Sequence, residues 1–364
     1  MRVGILIAVL GFVLLPAGCA SSTPDGTPVS SPSASASHDS ASASPSPVDR
    51  VDARDGRTAK VWLFGMTIHT SADGGRHWTS QESPVGEGLR AAAFADRRHG
   101  WLVGGDVFGC TCVEPGHGVI LATSDGGRHW RTQLVSSRLG FCDVTCVDRK
   151  HAWVVAEALG GCRVLATSDG GRTWVRQAKL RLAQPHIVFA DRRHGWVSTL
   201  LAVLATSDGG RHWERQLRDK NAIQEFHDID FCDADHGFVV GFDALLSTSD
   251  GGATWRELAG PGGDHVAMTD PNHVVTAQSD GTMYWTSDGG ERWQESAIAW
   301  PRPKAPLRLV LDLTFAAPSL GWASCSWGDL ESRAAVMVTR DGGAHWRVQR
   351  HFPAGETGGL ACAQ

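Results

Sequence analysis

Tyrosine is almost missing from this chain: Tyr284 is the single one in 364 residues. The aromatic content rests on 15 Trp and 12 Phe, beside 43 Gly, an imbalance that points to a repeated motif carrying Trp and Gly. A surplus of either charge is also lacking, with 34 Lys and Arg against 39 Asp and Glu and a formal net of −5. Without a basic stripe or face, no nucleic-acid partner is indicated. Long apolar runs are confined to Val3–Leu15, which falls short of the ~20 residues that a membrane-spanning helix needs. Large apolar side chains are nearly missing from residue 20 to about 50, where Ser, Ala, Pro and Thr dominate. Such a stretch cannot bury enough surface to offset its ordering entropy.

The start of the chain reads as a targeting segment rather than as part of a fold. Arg2 supplies a positive start, the apolar run follows, and Leu15-Pro16-Ala17-Gly18-Cys19 comes next. Small residues ahead of Cys19 resemble a bacterial lipobox, whose cysteine takes a lipid and becomes the new N-terminus. Pro16 stands where that pattern has leucine, with Leu15 one place early. The alternative is an ordinary secretory signal with an incidental cysteine; both readings export the protein. The expected organisation is a signal peptide over 1–18, a lipidated Cys19 with a Ser/Ala/Pro tether over 19–50, and a folded domain over 51–364. The tether holds the domain off the membrane.

Self-similarity decides the fold. Seven segments read as T-x-D-G-G-x-x-W or a close variant, with aspartates Asp73, Asp125, Asp169, Asp208, Asp250, Asp288 and Asp341, each followed by two glycines and, five places on, a tryptophan. Successive aspartates lie 38 to 53 residues apart. The carboxylate can accept the backbone N–H groups of the turn after it, and the glycines supply angles a side chain would forbid. A second element precedes most copies: Phe94-Ala95-Asp96 through His99-Gly100-Trp101 recurs at Phe189 to Trp196, with looser forms at Val147 to Trp153, Phe231 to Phe238 and Phe315 to Trp322. Each repeat then reads as four short strands: A ending in Phe, B starting at Trp, C before the Asp-box and D after it. The chain is predicted to be an all-β, seven-bladed β-propeller of four-stranded antiparallel blades, with an Asp-box turn between strands C and D.

The end repeats are incomplete in a matching way. Gly359-Leu360-Ala361-Cys362-Ala363 resembles Gly88-Leu89-Arg90-Ala91-Ala92, the start of a strand A, whereas no clear strand A precedes Lys60–Gly65. The C-terminal strand is expected to close the ring in blade one, with Val51–Arg54 as the alternative.

The Phe-x-Asp, His-Gly-Trp and Asp-box elements together resemble the photosystem II stability/assembly factor family, and more widely the BNR/Asp-box group, over about residues 55 to 364. The photosynthetic members imply an escort of a membrane-protein subunit during assembly. For this chain only a general binding or assembly role outside the membrane carries over; with the lipid on Cys19, the expectation is a monomeric scaffold held at the extracytoplasmic face of the cell membrane, or secreted if Cys19 is not lipidated. The partner would be an extracytoplasmic or membrane protein, or a glycan. Sialidases also carry Asp-boxes, so a carbohydrate-active glycoside hydrolase is the alternative. Those enzymes use a tyrosine nucleophile, but Tyr284 occupies a strand C position set by the repeat, and the Phe/Tyr-Arg-Ile-Pro motif is missing. No catalytic set is assigned.

Nine of the 16 histidines fall at repeat positions in different blades, and the box aspartates read as turn acceptors, so neither a metal site nor a cofactor is expected. Trp300 and Trp327 lie outside the repeat, in a long D–A loop that also holds Arg302, Lys304 and Arg308 and in a B–C loop of the next blade. Aromatics interleaved with Arg are frequent interface anchors, so this corner is a candidate partner-binding patch, unless the two rings merely cover their own loops. Eight cysteines remain after Cys19; in an exported protein, pairs among Cys110, Cys112, Cys142 and Cys162, and a Cys325–Cys362 bridge, are the candidate disulfides.

Overall fold

The computed structural model describes residues 59–62, 67–71, 73–85, 88–105, 117–158, 160–180, 185–218, 225–242, 244–278, 280–300, 307–328, 333–352 and 360–361. Cys19, Val51–Arg54, Cys110, Cys112, Arg302, Lys304 and Cys362 lie outside them. No helix occurs among the described residues, and their strands form seven antiparallel meanders. Blade two shows the pattern: Leu89–Phe94, Gly100–Gly105, Gly118–Thr123 and Arg131–Ser136 pair in chain order. The first strands of blades three to seven are Gly140–Cys146, His186–Phe189, Phe226–Phe231, His265–Met268 and Leu307–Ala317.

Each first strand touches the first strand of the next blade, and the cycle closes through Leu360–Ala361. These strands therefore form the inner wall of a ring. Leu360–Ala361 pairs with Ala59–Trp62 (Lys60 opposite Ala361, Val61 opposite Leu360), so the C-terminal strand completes blade one as expected.

Second strands are buried on both faces, as Gly100–Gly105 and Gly195–Thr199 show, because each lies between two neighbouring blades. The repeat's Phe and Gly are explained by one contact. Phe94, Phe189, Phe231 and Phe315 are the register partners of Gly100, Gly195, Gly237 and Gly321, and a Cβ on any of these glycines would overlap the ring. Two of the rings also stack across blade boundaries: Phe189 on Trp153 at 3.8 Å and Phe231 on Trp196 at 3.4 Å between centroids.

Blade seven departs from the pattern. Ala297–Ala299, leaving blade six, runs parallel to His345–Arg347 and adds a fifth strand to the outer edge. A cavity of about 570 Å³ lies along this strap, bordered by Ile298, Arg340, Asp341 and Trp346.

Candidate functional site: the channel mouth opposite the Asp-boxes

The Asp-boxes are self-contained clamps. In all seven, a hydroxyl two residues before the Asp, Ser71 in the first box and Thr in the others, donates to the Asp Oδ1 at 2.8–2.9 Å. The same Oδ1 accepts the backbone N–H four residues on, at 2.8–3.0 Å. The other carboxylate oxygen meets the side chain at that position, as in His129, His212 and His345. The His77 N–H holds Asp73 down to about 2, and the Thr173 N–H does the same for Asp169. A smaller clamp sits in the A–B turns, where Asp96, Asp148, Asp191, Asp233 and Asp270 cap the backbone of the His three places on.

The sequence reading passed over a W-x-x-Q signal that staples these turns together at four of the blade junctions. Gln81, Gln133, Gln216 and Gln349 each donate to a box glycine carbonyl of the next blade: Gly127, Gly170, Gly251 and, across the closure, Gly74. Gln133 Oε1 also accepts from Trp101 and Trp174. The box turns thus also serve as acceptors for bonds between neighbouring blades.

The inner strands differ from one another, and here the structure assembles side chains that no local motif marked. Asp143 Oδ1 accepts the Val144 N–H, while its Oδ2 accepts Ile187 N–H of the next blade at 3.0 Å. Asp228 bridges Ile229 and Val266 in the same way, and Asp230 bridges Phe231 and Met268. His186 and His265 each precede the residue so bound. The result is an arc over blades three to six: Asp143 to His186 at 3.8 Å, His186 to Asp228 at 4.0 Å and Asp228 to His265 at 3.9 Å. Beside it His227 Nδ1 lies 2.8 Å from Asp264 Oδ1. His227 is the extra residue of a β-bulge in its inner strand, as Cys142 is in blade three.

Burial sets the proton affinities. It pushes Asp143 up, and it carries Asp230 to about 7, with Asp228 adding repulsion against the N–H bonds. It pulls His265 down, whereas the Asp264 carboxylate, accepting from the His227 ring, raises His227. The arc starts at the end of the blades opposite the boxes. Beside it, Glu225 has a φ of 35°, the one positive value among the described non-glycine residues.

Several expectations need correction. Trp300 and Trp327 are not surface anchors: they retain 8% and 2% of their exposure and join one core cluster with Val310, Leu313 and Met337. The outer strap places Trp300 against blade seven, and Trp327 is an in-register strand residue opposite Arg308. Arg308 contributes only its backbone to the described structure. The Cys142–Cys162 bridge is not made, and Cys142 is an unbridged thiol. The two cysteines flank the second strand of blade three. That separation is about 10 Å, two strand spacings, beyond the ~7 Å that a disulfide spans. Cys325 is likewise an unbridged, buried thiol, and its candidate partner Cys362 lies outside the described residues. Tyr284 lies on the third strand of blade six opposite Glu295, away from the inner wall.

Among curated proteins none matches the chain. The family model described as photosynthesis system II assembly factor YCF48 matches residues 178–297. Solved structures with a similar fold include YCF48 bound to D1 peptide (21% identity, TM-score 0.54, covering 73% of this chain and 82% of that one). YCF48 from Cyanidioschyzon merolae is similar at 18% identity and a TM-score of 0.52, covering 73% and 86%. A GH74 enzyme of Niastella koreensis shares the fold at 10% identity and a TM-score of 0.53, covering 84% and 68%. In fold and in repeat, the chain resembles the photosystem II assembly factor propellers of the BNR/Asp-box group.

Proposed function

We propose that this protein is an exported propeller, tethered to the extracytoplasmic face of the membrane through a lipid on Cys19, that acts as a binding or assembly scaffold for a protein partner. One observation carries the reading. The repeated Asp, Gln and Trp residues are engaged in turn clamps and blade-to-blade bonds, whereas the opposite face presents an irregular, partly exposed set of polar and apolar groups. A similar propeller bound to a peptide supports a protein as the partner. Photo-crosslinking from the loop face in the native cell, followed by mass spectrometry, tests it: one recurrent extracytoplasmic or membrane protein is expected, and no adduct at any loop-face position overturns it. Cys19→Ala should move the protein from the membrane fraction to the medium; unchanged membrane retention overturns the lipid tether.

A glycoside hydrolase is the second reading, favoured by the inner-wall carboxylates Asp143, Asp228 and Asp230. Their oxygens accept backbone N–H groups of the adjoining blade, which gives them a structural task. Turnover of a fluorogenic sialoside that is lost in Asp230→Asn at an unaltered melting temperature would reverse this preference.

A further inference from the structure

Four large apolar side chains are strongly exposed among the described residues. Val135 and Val175 sit on the outermost strands of blades two and three. Leu201, 47% exposed, and Phe242, 74% exposed, occupy the B–C turns of adjacent blades four and five, on the face of the channel mouth. Backbone contacts place these two beside the acidic groups there. Gly241, next to Phe242, is the register partner of Phe226, and its carbonyl accepts the Gly263 N–H. The Leu200 carbonyl accepts the Phe226 N–H. Leu201, Glu225, His227, Phe242 and Asp264 therefore each adjoin one hydrogen-bonded node formed by Leu200, Phe226, Gly241 and Gly263.

Carboxylates outnumber the one titratable base at this node, His227, which pairs with Asp264 and lies 4.0 Å from Glu225. Glu225 keeps 52% of its side-chain surface and Asp264 31%, and Asp228 lies just inside. The inner strands of blades three to six hold three Asp and three His, with neither Lys nor Arg. Among the described residues, Arg90 lies on the inner strand of blade two, Arg138 in the turn before the inner strand of blade three, Arg163 on a third strand and Arg218 on an outermost one.

We propose that this mouth docks a basic segment of a protein partner, with Lys or Arg side chains against Glu225 and Asp264 and a neighbouring apolar side chain over Phe242 and Leu201. The proposal rests on the partner-binding reading and adds to it the face and the chemistry of the partner. Exposed aromatics such as Phe are enriched at protein interfaces relative to the rest of the surface. The carboxylates select the sign of the incoming charge and speed its approach, so binding weakens as salt rises.

The test pans the immobilised full chain against a random linear-peptide display library. The enriched pool should be rich in Lys or Arg with an adjoining large apolar residue. A synthetic peptide from it should lose about tenfold in affinity to Phe242→Ser and, separately, to Glu225→Gln/Asp264→Asn, while Val135→Ser leaves binding unchanged. An acidic or neutral pool, or full affinity in both mouth variants at an unaltered melting temperature, overturns the proposal and leaves the scaffold reading standing. No enrichment of any peptide overturns both.

Discussion

At the Asp-box end of the blades and at the channel mouth, the same two residue types meet in opposite circumstances. In the boxes, Asp and His are four residues apart and exposed at the His, as with His129 at 86%. The carboxylate is satisfied by the N–H groups of its own turn, so it stays ionised far into acid. At the mouth, Asp143 and His186, or Asp228 and His265, come from different blades, and each Asp is drawn between two backbones. At Asp143 and His265 burial works against the charge. A carboxylate is thus a turn former where its donors are local in sequence, and a rivet between blades where they are not.

The largest expected effect comes from opening the ring. Deleting residues 358–364 removes the strand that completes blade one and should lower Tm by about 10 °C, following the scale of a few kcal/mol for a lost strand and 2–4 °C per kcal/mol. An unchanged thermal melt would show that neither region depends on closure.

Next comes the rivet itself. Asp228→Ala leaves the Ile229 and Val266 N–H groups without their acceptor, at a cost of roughly 2–4 kcal/mol. Urea unfolding measures it, and a loss below about 0.5 kcal/mol, the range of ordinary surface substitutions, would make the mouth carboxylates dispensable to the ring.

The two regions should also respond to pH with opposite sign. Asp230 sits at about 7 in the folded chain because of burial, against an unfolded value of ~3.9. Its contribution is therefore full below about pH 4 and is lost as pH rises through about 7. Asp73, held at about 2 by the His77 N–H, contributes above about pH 4 and loses that contribution as pH falls through 2. The stability difference between wild type and Asp230→Asn should shrink from pH 4 to pH 7, while that for Asp73→Asn should shrink only below pH 4. Parallel profiles for the two variants would erase the distinction.

A smaller contrast concerns two left-handed glycines. Gly252, at φ +87°, faces Gln216 of the preceding blade, and a Cβ there would overlap the amide. Gly160, at φ +79°, has open space around it. Gly160→Ala should cost about 1 kcal/mol from the backbone alone, and Gly252→Ala about 2–3 kcal/mol because the inter-blade glutamine must also move. Equal losses in denaturant unfolding would mean that the box glycines serve conformation only.

Which parts were legible follows from the range of each interaction. The box clamp spans four residues, so seven copies of Asp-Gly-Gly with a Trp after them made the turn, the strand order and the blade count readable, and the likeness of Gly359–Ala363 to Gly88–Ala92 pointed to the closing strand. The glutamine staple was also present as W-x-x-Q at Trp130 and Gln133 or Trp213 and Gln216, but its purpose depends on a glycine carbonyl in the next blade. Trp300 and Trp327 looked like outliers because no repeat position contains them. They pack together because the strap Ala297–Ala299 lies along blade seven, a parallel pairing that alternation of apolar residues does not encode.

By itself, then, the sequence determined the clamps, the repeat, the closed ring and the absorption of most His and Trp into repeat positions, since each depends on atoms a few bonds apart along the chain or on simple repetition. Only the tertiary structure decided that Asp143, His186, Asp228 and His265 form one arc, and that Leu201, Glu225, Phe242 and Asp264 share one node. Those groups belong to separate strands and turns, and they meet because ring closure brings the starts of adjacent inner strands side by side.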